Sequence, residues 1–296
     1  MNGRTSTTMT IHFKQVAIVG VGLIGGSMGM ILKSRGLADR VVGVGRTLAN
    51  LELAVQRGAI DAFERDPKAA VPGTELVILA AHVESYAGHL KEWGHLLEPG
   101  TIVSDVGSVK GPLVGQVESL VPAGVHFVGA HPIAGKESSG VGEGSVDLFA
   151  NALCLVTPTA NTDPLALRTV QHVWETMGAV VRSIDPFVHD WILGAVSHLP
   201  HVAAFALMNA LTDLQERGEA DLLDYAGGGL RDTTRIAAAS PEMWRDIFLW
   251  NADNLLTMTE AMEKHLQRFK ALIQAKDAPG LAREIAKARE ARQRLK

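Results

Sequence analysis

Residues 15–27 read Gln15-Val16-Ala17-Ile18-Val19-Gly20-Val21-Gly22-Leu23-Ile24-Gly25-Gly26-Ser27. The apolar run Val16–Val19 is rich in β-branched side chains and predicts a buried strand. Three glycines follow at the spacing G-x-G-x-x-G. They lead into an apolar stretch, Leu23–Arg35, that reads as a helix closed by Gly36. Gly20 permits the tight turn, Gly22 lets a ligand approach the backbone, and Gly25 lets the helix lie close to the strand. The free N–H groups and positive dipole end of the helix N-terminus then face a pyrophosphate. A glycine-rich turn without a ligand is the alternative, and the strand–turn–helix setting argues against it. The stretch therefore points to a dinucleotide held by Gly20, Gly22, Leu23, Ile24 and Gly25.

The same texture continues outward. Strand-like runs lie at Gln15–Gly20, Val41–Val44, Leu76–Ala80, Thr101–Asp105, Val125–Gly129, Leu153–Thr157 and Ala179–Ile184. Helical patterns at Leu23–Arg35, Leu48–Arg57 and Glu84–Leu97 alternate with the first of them. This predicts an α/β domain built as a Rossmann-type, doubly wound parallel sheet. After Pro186 no β-rich run follows. Phe187–Arg217 reads as one long helix with Pro200 as a kink site. Met243–Ile273 and a stretch from Pro279 onward read as further helices. The expected organisation is a tail over 1–14, a dinucleotide-binding domain over 15–186 and an all-helical domain over 187–296.

The chain has 296 residues, of which 47% are hydrophobic and 20% charged, enough apolar material for a packed core. A net charge of −4 gives no global push toward nucleic acid or an anionic membrane. One cysteine, Cys154, excludes an intrachain disulfide and a cysteine-based zinc site. With a polar start, Met1–His12, that lacks an apolar signal region, it fits a cytoplasmic protein. Ile192–Leu211 is an uncharged run of 20 residues, long enough to span a bilayer. Its Ser197, His198, Pro200, His201 and Asn209 would be costly in lipid, so a buried helix in a bundle or dimer core is expected. Residues 264–296 carry ten Lys/Arg against three Asp/Glu and read as a solvated terminal helix, with no aromatic stripe for base stacking.

The end of the second strand decides which dinucleotide fits. An acidic residue there would bind the ribose 2′-hydroxyl. The sequence instead reads Val44-Gly45-Arg46-Thr47, and Arg46 with Thr47 suits a 2′-phosphate. The reading favours NADP and leaves NAD open, with Gly45, Arg46, Thr47 and Ala80 added to the cofactor set. Two further stretches fall at predicted strand ends, where open α/β sheets bind ligands. One is Ser104-Asp105-Val106-Gly107-Ser108-Val109-Lys110. The other is Gly129-Ala130-His131-Pro132-Ile133-Ala134-Gly135-Lys136-Glu137-Ser138-Ser139-Gly140. A histidine at a strand end beside a nicotinamide is a natural proton acceptor, because its pKa lies near neutrality. His198 and His201 are three apart on one helix, but no third ligand is near in sequence, so no metal is expected.

These blocks resemble the prephenate/arogenate dehydrogenases of tyrosine biosynthesis over nearly the whole chain. The glycine loop, the two strand-end stretches, Ser197-His198-Leu199-Pro200-His201, Gly227-Gly228-Gly229-Leu230-Arg231-Asp232-Thr233-Thr234-Arg235 and Met243-Trp244-Arg245-Asp246 carry the resemblance in order. It implies a Rossmann domain followed by a helical dimerisation domain, and cofactor-dependent oxidative decarboxylation of a cyclohexadienol. By the same resemblance His131 takes the hydroxyl proton, with Ser108 and Ser104 beside the hydroxyl and the nicotinamide. Arg235 holds the ring carboxylate and His201 sits near the substrate side chain. Glu137 and Asp232 stand at the pocket mouth, Gly228 lies in the glycine run lining the site, and Trp244 forms a wall. Residue chemistry alone leaves Arg235 open to an ion pair with Asp232, and Trp244 open to a plain core role. A β-hydroxyacid dehydrogenase or imine reductase is a second enzymatic reading, weakened because Phe187–Gln215 contains no lysine. A non-catalytic dinucleotide sensor is a third.

Overall fold

The structure, a computed structural model, describes residues 11–135, 140–216 and 221–295. Its strands are β1 (Phe13–Val19), β2 (Ala38–Val44), β3 (Ala62–Glu64), β4 (Leu76–Leu79), β5 (Ile102–Asp105), β6 (His126–Pro132), β7 (Leu153–Thr157) and β8 (Val180–Ser183). They form one sheet in the order β3-β2-β1-β4-β5-β6-β7-β8. The first six strands have the Rossmann order, and the direction of winding reverses between β1 and β4. That switch point is where the glycine turn leaves β1. Alternation along β1 explains its burial on both faces: Val16 and Ile18 join one apolar cluster, Ala17 and Val19 the other.

The sheet departs from an all-parallel arrangement at one place. β7 runs antiparallel to β6, and β8 returns parallel to β7. A parallel return needs a crossover, usually a helix. The described part of the link between β6 and β7 holds only a short turn of 3₁₀ helix at Val141–Glu143. β3 is three residues long and gives no readable periodicity, which is why it was not expected. Two helices, Gly111–Glu118 and Pro164–Thr176, also lay hidden; the first begins Gly-Pro and reads as a loop. Residues 11–14 do not belong to the expected tail, whose remainder lies outside the described residues. β1 starts at Phe13, and Ile11 and Phe13 are buried in the core.

From Pro186 onward the described residues form helices only. The expected long helix runs from Pro186 to Gln215, with a π-helical segment at Gly194–His198. Pro200 lacks an N–H and its ring crowds the carbonyl four residues earlier, so the helix widens just before it. Met243–Ile273 is not one helix: it is Pro241–Trp250 and Ala252–Gln274, broken at Asn251. The Asn251 amide there donates to the Asp190 carbonyl (2.8 Å) and contacts His198 Nδ1 (3.0 Å). The last helix spans Ala278–Gln293.

Beyond β6 the sheet is closed by Trp174, packed edge-on against Phe149 with centroids 5.1 Å apart. Both are fully buried. Trp174→Ala is expected to cost about 3–5 kcal/mol in urea unfolding. A loss below about 1 kcal/mol would show that this flank collapses to refill the cavity.

Candidate active site

The glycine turn has the shape its sequence predicts. Gly20 has φ +101°, and a Cβ on it would lie 2.5 Å from the Ala80 carbonyl oxygen. A Cβ on Gly25 would overlap the Gly20 carbonyl, so the Leu23–Ser34 helix seats directly on β1. Gly22 differs: it is the residue before the helix, no side chain caps that N-terminus, and no atom lies within 4 Å of where its Cβ would be. The first N–H groups of the helix therefore open onto free space, as an anionic diphosphate requires. Leu23 and Ile24 are half-buried at this mouth. Ala80 sits across from it at the end of β4, its N–H donating to the Val19 carbonyl (2.7 Å). At the end of β2, Gly45 is half-buried while Arg46 and Thr47 are exposed. Asn50, absent from the expected set, donates to the Val21 carbonyl (2.7 Å) and braces the turn.

The loop after β5 is built on a buried charge. Lys110 is fully buried, and its Nζ donates to Asp105 Oδ2 (2.7 Å) and to the Gly107 carbonyl (2.6 Å). Asp105 also accepts from Gly107 N–H (2.9 Å) and Ala130 N–H (3.1 Å). This curls residues 105–110 around the ammonium and leaves Ser108 half-buried at the loop's outer side. Ser104 is placed differently. It is 5% exposed, and its hydroxyl donates to the Val128 carbonyl (2.7 Å), tying β5 to β6.

His131 ends β6 and is 8% exposed. Its Nδ1 lies 2.9 Å from His189 Nε2, and His189 Nδ1 lies 2.8 Å from Asp190 Oδ1. Asp190 also accepts from Lys110 N–H (2.8 Å) and Gly111 N–H (2.7 Å) at the start of the Gly111–Glu118 helix. Burial above all, then the neighbouring charges of His189, Lys110 and His198, holds the His131 imidazole well below the usual histidine range. It is therefore neutral near pH 7, the form in which an imidazole accepts a proton.

The helical half supplies the other wall. His201 donates from Nδ1 to the Ser197 carbonyl (2.8 Å) and stacks on Trp244 with centroids 3.5 Å apart. Trp244 is 7% exposed, and its indole N–H finds no acceptor among the described residues. Burial first, and then the Arg235 guanidinium, lower the His201 pKa. The charge of His198 acts in turn on His131, and that of His201 on His198. His198 and His201 both pack on Trp244, His198 edge-on with centroids 5.9 Å apart. Arg235 is exposed at the junction after the Gly228–Thr234 helix, and Asp232 and Gly228 are exposed on that helix. Glu137 lies outside the described residues. Among them, no three of His, Cys, Asp and Glu converge as metal ligands. The residues not anticipated here, His189, Asp190 and Asn251, carry no motif; only the loop that Asp190 caps was singled out by sequence.

Comparison with known proteins gives a consistent result. The family profile "Prephenate dehydrogenase, nucleotide-binding domain" matches residues 28–183, and "Prephenate dehydrogenase, dimerization domain" matches residues 185–287. The chain is 32% identical to a prephenate dehydrogenase of Bacillus subtilis over 281 residues, covering 95% of this chain and 76% of that protein. It is 30% identical to a cyclohexadienyl dehydrogenase of Zymomonas mobilis over 294 residues, covering 97% and 98%. Among solved structures, prephenate dehydrogenase from Aquifex aeolicus, in complex with hydroxyphenyl propionate and NAD⁺, superposes with a TM-score of 0.89 at 36% identity, covering 98% of this chain and all of that one. An arogenate dehydrogenase from Synechocystis gives 0.77 at 29%, covering 95% of this chain and 100% of that one.

Two measurements test this geometry. Gly22→Val is expected to leave thermal unfolding near wild type, because the space is open, and to weaken dinucleotide binding about tenfold or more in a fluorescence titration. Unchanged affinity would move the diphosphate elsewhere. The second concerns pH. Burial pushes His198 from an ordinary 6.5 down to about 4. Between those values the unfolded chain binds a proton that the folded chain does not. Stability is thus complete above the higher value and falls on acidification, by about 1.4 kcal/mol per pH unit from this residue. Urea midpoints measured down that window should drop more steeply for wild type than for His198→Phe. Equal slopes would clear His198 of the effect.

Proposed function

This chain belongs to the prephenate dehydrogenase family, and we propose that within it the protein prefers NADP and oxidises arogenate, prephenate or both through His131. The activity is an NAD(P)-dependent dehydrogenation of prephenate or arogenate, a step of tyrosine biosynthesis. The observation that carries the reading is the buried imidazole of His131 at a strand end, joined by contacts through His189, Asp190, Asn251 and His198 to the Trp244–His201 stack of the helical wall.

The residues present fit a dinucleotide. The uncapped, open helix start at Gly22 would hold the diphosphate, and Arg46 and Thr47 would meet the 2′-phosphate. Arg65 adds to this: it directly follows β3, whose last residue pairs with the end of β2. A bound nicotinamide would supply the hydride acceptor for the ring carbon that carries the hydroxyl. The chain's own part is positioning and one proton. His131 Nε2 takes the hydroxyl proton as the carbonyl forms, and Ser108 holds that oxygen. Arg235 grips the ring carboxylate through its planar donor fork. Loss of that carboxylate as carbon dioxide then leaves an aromatic ring, so the protein needs orientation more than acid–base power. His201, braced on Trp244, faces the side chain that distinguishes the two substrates.

A second copy of the chain covers the apolar face of the long helix. Phe187, Trp191, Ile192 and Val196 are each at least 40% exposed in the single chain. That is hard to reconcile with a monomer. The dimer accounts for the one helix among the described residues that is apolar and long enough to cross a membrane.

Four assays, pairing NADP⁺ or NAD⁺ with arogenate or prephenate, are expected to show reduction, fastest with NADP⁺. Arg46→Ala should narrow the gap between cofactors. His131→Asn should lower kcat by about 10²–10⁴-fold. No reduction in any pairing would overturn the activity; faster turnover with NAD⁺ would overturn only the cofactor preference. Sedimentation should give a dimer that Val196→Lys dissociates.

A further inference from the structure

We propose that His189 and Asp190 act as positioning residues that hold His131 in one tautomer, hydrogen on Nδ1 and lone pair on Nε2, and meet its positive charge once it has taken the substrate proton. The inference rests on the reading of His131 as the base and deepens it.

The donors and acceptors of the three side chains fix where each hydrogen lies. Both Asp190 carboxylate oxygens receive backbone N–H groups, Oδ1 from Lys110 and Oδ2 from Gly111. A carboxylate so placed has only acceptance to offer. The 2.8 Å contact from His189 Nδ1 to Asp190 Oδ1 is therefore an N–H donated by His189. A neutral imidazole carries one hydrogen, so His189 Nε2 is a lone pair. The 2.9 Å contact between His189 Nε2 and His131 Nδ1 must then be a hydrogen donated by His131. That leaves His131 Nε2 bare and able to accept. The opposite tautomer would bring two lone pairs together at this spacing.

The same line answers the charge created in the reaction. When the substrate O–H bond breaks and the proton binds Nε2, His131 becomes an imidazolium. Its Nδ1–H then points at a lone pair polarised by a carboxylate one ring further on. The groups facing the pair argue that this support is needed. Burial first, then His189 whenever it is itself charged, Lys110 from the β5 loop and His198 from the long helix disfavour a charge on His131. A neutral His189, its Nδ1–H given to Asp190, removes the repulsion from its own ring. On His189 the Asp190 contact opposes the lowering by burial and by Lys110, and Asp105 adds to it. Cys154, on β7 opposite Pro132, is itself buried, which raises its thiol pKa and keeps it protonated.

The other half of the network fixes the position of the acid. The Asp190 carbonyl accepts from the Asn251 amide (2.8 Å), and the same amide contacts His198 Nδ1 (3.0 Å). The break at Asn251 thus serves to hold Asp190 and His198 together.

The direct test is ¹⁵N NMR of the protein labelled at histidine, with His131→Asn assigning the resonances. Wild type should show His131 protonated at Nδ1 and bare at Nε2. Asp190→Asn puts an amide N–H₂ where a carboxylate oxygen stood, and should shift His131 toward the other tautomer. In the assay, His189→Ala should lower kcat about 10²-fold, leave KM within a few-fold, and displace the low-pH limb of the kcat profile. His189→Gln, whose side-chain carbonyl reaches the place of Nε2, should recover the tautomer and part of kcat. Finding wild-type His131 protonated at Nε2 would overturn the proposal without any variant needing to fold. So would His189→Ala with unaltered kcat and pH limb. Full turnover by His131→Asn would instead overturn the base reading itself, so the two failures are distinguishable.

Discussion

One carboxylate, Asp190, joins the two halves of the molecule. It sits on the long helix, yet both oxygens cap the start of the Gly111–Glu118 helix beside the sheet. An anion is favoured at that end of a helix, where N–H groups lack partners of their own. Hydrogen bonds to a charged acceptor contribute about 1.5–3 kcal/mol each, and an unmet buried N–H costs about as much. The contact is therefore stabilising and directional together. Because His189 is the adjacent residue, fixing Asp190 also fixes the ring that touches His131. The distance from His131 to the helical wall follows from that attachment.

The buried Lys110–Asp105 pair plays a complementary part beneath it. Burying two charges is expensive, and their attraction alone seldom returns a gain over apolar packing. Here the ammonium also satisfies two backbone carbonyls of its own loop, Gly107 and Val109. What the pair secures is shape: the chain between β5 and the Gly111 helix wraps around one ammonium. The N–H groups of Lys110 and Gly111 are thereby turned toward Asp190, and Ser108 is left at the loop's outer side.

How far the site could be read in advance depended on how local each feature is. The glycine turn was legible because strand, turn and helix are consecutive, and the strain that demands Gly20 arises within it and its neighbour Ala80. His131 was legible as a residue at the end of an apolar strand. Asp190 and His189 were not, because on the helix they look like two polar residues in an apolar run. Their meaning lies in Lys110, Gly111 and His131, all more than fifty residues away in sequence. Asn251 was hidden for the same reason. Its neighbours are good helix formers, and the break there is driven by hydrogen bonds to the long helix. Ser104 carries a contact its block did not suggest: its hydroxyl donates to the Val128 carbonyl and ties β5 to β6.

Sequence by itself determined the class of fold, the glycine turn, the switch from strands to helices near residue 186 and the family. Each of these is written in periodicity and in motifs that act over a few residues. Tertiary structure alone decided the direction of β7, the division of the helix at Asn251, and the run of contacts from Asp190 through His189 to His131. The reason is that a hydrogen bond has a donor and an acceptor side. Which nitrogen of His131 is free to accept is set by partners that only folding brings within reach.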